Sequence, residues 1–164
     1  MENISHKTLT SLLHYNEETG KFTWKVTRQK GRAGEFAGWE SHKYICITVN
    51  GVTYQAHRLA WFYVTQKWPL QYIDHINGDK ADNRFCNLRE ASPSQNRANS
   101  KINKNNASGF KGVVYKKWLK DKPWQAQITH NKKVIYLGCY ATPEEAHQAY
   151  TNKAKILHGE FSNP

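Results

Sequence analysis

Hydrophobic positions recur at two spacings along the chain, and each spacing predicts its own kind of element. Leu9, Leu12 and Leu13 stand at i, i+3 and i+4, which predicts a short amphipathic helix over Thr8 to His14. Turn residues from Tyr15 to Gly20 close it, and Lys21 to Lys25 alternates as a strand does. Tyr44–Val49 and Val52–Ala56 alternate on either side of Asn50-Gly51, the pair that supports a type I′ turn, so a hairpin is predicted there. His57 to Val64 returns to helical spacing through Leu59, Phe62 and Tyr63, and ends before Trp68-Pro69.

A second hairpin is predicted from shorter segments. Tyr72-Ile73 delivers Asp74-His75, Asn77-Gly78-Asp79 supplies turn chemistry, and Asn87-Leu88 returns. Ser92, Pro93 and Gln95 then occupy the N-cap, N1 and N3 positions of a helix, with a capping box between Ser92 and Gln95. From Ala98 to Ser108 the chain is polar, basic and aperiodic, the pattern of a linker.

Beyond it, alternating segments at Gly109–Tyr115, Trp124–Thr129 and Lys133–Tyr140 predict three antiparallel strands. A last helix carries Thr142 as N-cap, Pro143 at N1, Glu145 closing a capping box, and Gly159 as terminator. Its apolar face is Ala146, Ala149, Tyr150, Ala154 and Leu157, small enough to let it lie close on a sheet. The fold class is α+β, with two modules: residues 1–98, a basic linker at 99–108, and residues 109–164.

Charge narrows the partner. The 164 residues hold 24 Lys and Arg against 13 Asp and Glu, a formal charge of +11. Residues 101–164 alone hold 11 basic and 4 acidic side chains. That balance points to a polyanion. No apolar run reaches membrane-spanning length and no signal-peptide core follows Met1, so a cytoplasmic protein without a membrane partner is expected. Cys46, Cys86 and Cys139 are odd in number and form no C-x-x-C pair, which argues against disulfides and structural zinc and predicts reduced, mostly buried thiols. The glycine-bearing stretch Arg28 to Gly38, with Lys30 and Arg32, either follows a DNA backbone or is a solvated loop.

The Asp74-His75 hairpin concentrates the chemistry. Hydrolysis of a phosphodiester needs a base for water, a hard cation on the phosphate, and oxygen ligands for that cation. His75 is the natural base near neutral pH. Asp74 and the amide oxygen of Asn96 are hard donors that suit Mg²⁺ keeping most of its waters. Neighbours on an ideal strand point to opposite faces, so the hairpin is expected to be irregular at His75 if Asp74 is to share the site. His57 reads as a packing or capping residue, with a phosphate contact as its alternative. Arg58 is read as a contact to DNA or to an acidic partner.

The order Asp74-His75, Asn87, Asn96, with Asn77-Gly78-Asp79 in the loop and Asn87-Leu88-Arg89 on the return, resembles the HNH endonucleases, closest to the phage and intron homing branch. The likeness extends over roughly residues 8 to 100, with the ββα-metal core at about 57–98. It implies that His75 is the general base, that Asp74 and Asn96 hold one Mg²⁺ (with Mn²⁺ able to substitute), and that Asn87 braces the hairpin. It also implies a double-stranded DNA substrate, nicked or cut through by a monomer or weak dimer, in a bacterial host cytoplasm if the protein is phage-encoded.

The second module is similar to the DNA-binding domain of APETALA and ethylene-response transcription factors, through Gly112-Val113, Trp124, Ile128, Leu137-Gly138, Glu144-Glu145-Ala146 and Leu157 to Phe161. That resemblance implies a sheet in the major groove, where strand side chains read bases. Lys111, Tyr115, Trp124, Gln125 and Gln127 are then expected toward DNA. Lys116, Lys117, Lys120, Lys122, Lys132 and Lys133 on the loops, with Arg97, Lys101 and Lys104 near the linker, are expected on phosphates. Lysines that merely keep a sheet edge soluble are the alternative. Val114 and Tyr115 stand where the plant proteins have arginines, so base preference does not transfer. The functional rivals are a non-catalytic DNA-binding regulator, separable by the effect of EDTA, and an RNA-directed protein.

Overall fold

The computed structural model describes residues 4–28, 31–103 and 105–163. Lys30 in the basic loop and Lys104 in the linker lie outside them. The chain divides into two compact units, Met1–Glu90 and Ala91–Pro164.

The first unit opens with α1 (His6–Leu12), capped by the Ser5 hydroxyl, which accepts from the Thr8 N–H. β1 (Leu13–Asn16) follows at once and pairs antiparallel with β2 (Lys21–Trp24). The predicted helix therefore ends before Leu13, and a strand stands where turn residues were expected. Leu13 and Tyr15 are both buried and two residues apart, a strand spacing that the leucine triplet masked. β3 (Trp39–Ser41), β4 (Tyr44–Val49) and β5 (Val52–Gln55) form a three-stranded sheet, and α2 (Ala56–Thr65) follows. β3 was not expected; it arises from the glycine-bearing loop through a turn at His42-Lys43, both with left-handed φ. The Asn50-Gly51 turn has φ of 49° and 81°, the I′ geometry its sequence calls for.

β6 (Tyr72–His75) pairs with β7 (Leu88–Ala91), and a 3₁₀ turn at Phe85–Asn87 leads into the return strand. Ile73 and Leu88 are buried in the same core as Leu9, Leu13, Phe22, Ile47, Leu59 and Phe62. The hairpin is thus pinned by its apolar residues to the largest core of the unit.

The second unit begins with α3 (Pro93–Asn99), which carries the full Ser92–Gln95 capping box read from its sequence. β8 (Val113–Tyr115), β9 (Trp124–His130) and β10 (Lys133–Tyr140) form an antiparallel sheet in the order β10-β9-β8, and α4 (Pro143–His158) packs on it. β8 is shorter than expected because Gly109 and Gly112 both take left-handed φ and turn the chain before it. α3 and the predicted linker belong to this unit for a physical reason. The Lys111 ammonium donates to the carbonyls of Ala98, Ser100 and Asn163 at 2.6, 2.7 and 2.5 Å, and the Asn163 amide donates to Asn99 O.

On α4 the Thr142 hydroxyl accepts from the Glu145 N–H at 3.2 Å, but Glu145 accepts from Ala141 N and not from the cap residue. Only half of the predicted box therefore forms. Of the three thiols only Cys46 is buried, and Cys86 is exposed.

Two substitutions test the packing of the second unit. Thr142→Ala removes a cap and lowers stability by about 1 kcal/mol in chemical denaturation. At Gly112, φ is 75° and a Cβ would overlap the Tyr150 ring, so Gly112→Ala costs about 1–3 kcal/mol from overpacking alone and shifts the denaturation midpoint further than the cap variant does.

Candidate active site

β6 carries Ile73, Asp74 and His75 as three consecutive buried residues. An alternating strand with one wet face cannot do this, so both sides of β6 are covered at its end. Asp74 is 4% exposed and His75 5%. The strand runs regularly through His75, so the irregularity expected at that residue is not found: the turn comes only after it, and Asp74 and His75 leave the strand on opposite sides. Gly78 N–H donates to His75 O at 2.8 Å and Ile76 N–H to Asn87 O at 2.9 Å. The two side chains meet different partners. Asp74 Oδ2 accepts from Arg89 Nε at 3.0 Å in an ion pair that is almost wholly buried. His75 Nε2 lies 3.2 Å from Asn83 Oδ1.

The loop between the strands is closed by amides. Asn87 Oδ1 accepts from Asn77 N at 3.0 Å, while its Nδ2 donates to Asn77 Oδ1 at 3.1 Å and to Asp82 O at 2.9 Å. Asn87 thus ties the loop together through both ends of its amide. Asp82 in turn takes the Arg84 guanidinium at 2.6 Å, and that hydrogen bond first, with further donors from Arg84 N and Asn77, pulls its carboxyl down to about 2. Across the loop, the Tyr15 hydroxyl donates to Asn83 O at 2.7 Å. Gly20, with φ of 70°, packs so closely on the Asn83–Arg84 backbone that a Cβ would collide with it.

Electrostatics keep the imidazole neutral. Burial lowers the His75 pKa below the ordinary histidine value, against the opposing pull of the Asn83 hydrogen bond and of Asp74, Asp79 and Asp82. A neutral imidazole near pH 7 can accept a proton. His57 stands edge-on to His75 with ring centroids 5.0 Å apart, and Tyr44 faces both rings. Burial, then the neighbouring side chains of His75 and Arg58, push His57 down to about 3. It serves as an uncharged packing wall, the simpler of its two readings. The Lys80 ammonium sits 4.5 Å over the Tyr44 ring and brings a cation close to this group of rings.

Several expected contacts are placed otherwise. Arg58 donates to Gln71 O and Pro69 O at 3.2 and 3.3 Å, so it clamps the segment that feeds β6. Lys111 spends three donors on carbonyls, and burial lowers its pKa to about 8, so it is an internal anchor and not a cation turned to DNA. Strand alternation also separates two of the base-reading candidates from the others. Val113, Ala126 and Ile128 face α4, Trp124 packs with them, and the Tyr115 ring lies tilted against Trp124 with centroids 4.9 Å apart. Gln125 and Gln127 therefore point to the opposite, open face. Val134 and Tyr136, 63% and 61% exposed, pair in register with Thr129 and Gln127 on that face and were missed. Arg97, Lys101, Lys117, Lys132 and Lys133 are exposed, and the Lys116 ammonium lies over the Trp118 ring. Asn96 lies on α3 in the second unit.

Asn83, Arg89 and Lys80 were not assigned roles from the sequence. Arg89 stood in the Asn87-Leu88-Arg89 string, and Asn83 in Asp82-Asn83-Arg84, where a loop asparagine is indistinguishable from a turn former until its burial of 2% exposure is known.

Among the described residues no group of three or more His, Cys, Asp or Glu side chains could hold a metal ion. The Asp74 carboxylate is a hard oxygen donor, of the type that divalent metal ions accept. Arg89 already rests on one oxygen of Asp74, so that carboxylate is matched by a positive charge before any metal binds. No helix among the described residues is long and apolar enough to cross a membrane.

Residues 54–98 match the family model described as HNH endonuclease. The chain is 33% identical over 112 residues to a protein of Acanthamoeba polyphaga mimivirus named "Uncharacterized HNH endonuclease L560", covering 67% of this chain and 56% of that one. It is 34% identical over 92 residues to "Protein 3.8" of Escherichia phage T7, covering 56% of this chain and 73% of the phage protein. The matched region thus spans little more than half of the mimivirus relative. No solved structure matches the chain. With a buried imidazole and carboxylate at the end of β6, an asparagine-braced loop and these matches, the chain carries an HNH endonuclease domain at residues 54–98 and has viral HNH relatives.

Proposed function

We propose that this protein is a divalent-metal-dependent endonuclease that cuts double-stranded DNA at preferred sites, in the manner of the homing branch of its family. The observation that carries the reading is His75: buried, neutral and hydrogen-bonded to Asn83, beside a carboxylate at the end of an HNH hairpin. His75 takes a proton from water. The water oxygen bonds to phosphorus, the bond to the 3′ oxygen breaks, and that oxygen takes a proton from solvent. Asp74 and Asn96 are the oxygen donors for the metal, which supplies positive charge to the phosphate when bound. Asn87 holds the loop, and Arg89 fixes the Asp74 carboxylate.

The second unit lengthens the recognised site. Gln125, Gln127, Thr129 and Tyr136 on its open face are the candidates for reading bases. Lys116, Lys117, Lys132 and Lys133, with Arg97, Lys101 and Lys104, are the candidates for phosphates. A regulator without catalysis is the second reading, and the Asp74–Arg89 ion pair favours it, because a carboxylate neutralised in this way can serve structure alone.

Supercoiled plasmid with Mg²⁺ separates the two. The wild-type protein converts it to nicked or linear product, EDTA abolishes the product, and His75→Ala lowers the rate by about 10²–10⁴-fold. Equal cutting by both proteins removes the assignment of His75, and binding without any product leaves the regulator. DNA binding itself falls roughly a thousandfold between 50 and 200 mM salt if about six phosphates are contacted. Replacing Lys132 and Lys133 by alanine reduces the logarithmic salt slope by about 2 in a filter-binding or anisotropy titration, whereas Gln127→Ala leaves the slope unchanged and relaxes sequence preference.

A further inference from the structure

Inside the second unit, the β8 edge of the sheet ends before β9 does. Gln127 N–H donates to Gly112 O at 2.9 Å. The pairing of β8 with β9 stops there, because Gly112, at φ of 75°, turns the chain away. Backbone groups alternate from side to side along a strand, so Thr129, two residues on, also turns its N–H to the β8 side, where no strand receives it. A cavity of about 290 Å³ lies at this edge, lined from α3 by Arg97, from β9 by Ile128 and Thr129, and from α4 by Tyr150 and His158. It reaches the low end of the range for small-molecule sites, roughly 300 Å³.

The cavity suits a negative charge. Arg97, Lys111 and His158 line it, and no Asp or Glu does among the described residues. His158 is 6% exposed, and its Nδ1 has no hydrogen-bond partner among the described residues. Buried polar atoms are as a rule satisfied, and this one belongs to a side chain that borders the cavity. Lys111 spends its donors on three carbonyls, so it adds charge and not a direct bond. Burial, then His130 and Lys111, lowers the His158 pKa, and burial lowers that of Lys111 to about 8. An anion beside them favours the protonated form of both.

The rest of the lining adds a second requirement. Val113 and Ile128 are buried apolar residues, and the Tyr150 ring lies so close to Gly112 that a Cβ there would overlap it. A bare phosphate uses only the cationic part of such a cavity, whereas a nucleotide uses both parts. We propose that the cavity binds a nucleoside 5′-monophosphate group, either free or at the end of a DNA strand. Arg97, His158 and the Thr129 N–H donate to its phosphate, Lys111 adds charge, and the base lies against Val113, Ile128 and Tyr150. The exposed lysines differ from this site, because contacts along a backbone do not distinguish a strand end.

Calorimetry and ¹H–¹⁵N spectra of the ¹⁵N-labelled full chain test the proposal, with EDTA present so that no strand is cut. Deoxyadenosine 5′-monophosphate binds and shifts the Gly112 and Thr129 amides, orthophosphate binds more weakly, and deoxyadenosine does not bind. His158→Phe keeps a ring without its nitrogens and weakens nucleotide binding about 10–100-fold, the loss of one hydrogen bond to a charged group. Arg97→Gln, at an exposed position, weakens it to a similar degree and serves as the second variant should His158→Phe fail to fold. A 5′-phosphorylated single strand that shifts the same amides more than its 5′-hydroxyl counterpart assigns the strand end, and a response to the free nucleotide alone assigns the free ligand. Orthophosphate binding as tightly as the nucleotide, nucleotide binding unchanged in both variants, or no shift at Gly112 and Thr129 overturns the proposal.

Discussion

Everything in the first unit depends on keeping a carboxylate and an imidazole out of water without leaving either of them unmatched. A buried polar group without a partner costs about 1–3 kcal/mol, and more when it is charged. Asp74, His75, Asn83 and Asn87 are all nearly inaccessible, and each has its hydrogen bonds within a few residues of the β6–β7 hairpin or on β1. The polar cluster is affordable because it is complete. The apolar residues interleaved with it, Ile73 and Leu88, anchor the hairpin in the main core, so core packing and site geometry are set by the same two strands.

Much of this was legible because the chemistry of turns is local. Asn50-Gly51 specified its hairpin, Ser92 and Gln95 their capping box, and Thr142 with Gly159 the limits of α4, each from a handful of adjacent side chains. Asp74, His75 and Asn87 could be picked out for the same reason, as members of a short, spaced string. What was not legible depends on residues distant in sequence. Asn83 is separated from Tyr15 by 68 positions, and nothing near either residue announces the contact. β1 was hidden because Leu9, Leu12 and Leu13 satisfy a helical spacing while Leu13 and Tyr15 also satisfy a strand spacing, and only the pairing with β2 decides between them. β3 depends on its partner in the same way.

In the second unit the strands and the helix followed their patterns, yet the choice of outward side chains did not. Trp124 and Gln125 are neighbours on one strand and cannot share a face, and burial against Ala146 decides that the tryptophan turns inward. Lys111 illustrates a related limit. In sequence it is one more lysine in a basic segment. In the fold it stands beside the carbonyls of Ala98 and Ser100 and the C-terminal tail, and its charge is spent on holding α3 to its own unit. The lysines of this basic segment are therefore divided in space between an internal clasp and exposed positions.

We take the buried residues Asp74 and His75 to belong to a metal-assisted hydrolytic site and not merely to a well-satisfied polar core. Anomalous diffraction from crystals of the protein bound to duplex DNA and grown with Mn²⁺ tests that claim most directly. The account predicts an anomalous peak about 2.1–2.3 Å from a carboxylate oxygen of Asp74, with the scissile phosphate beside it and the His75 ring within reach of a water. Manganese bound elsewhere, with Asp74 engaged by Arg89 and no peak near it, would contradict the claim.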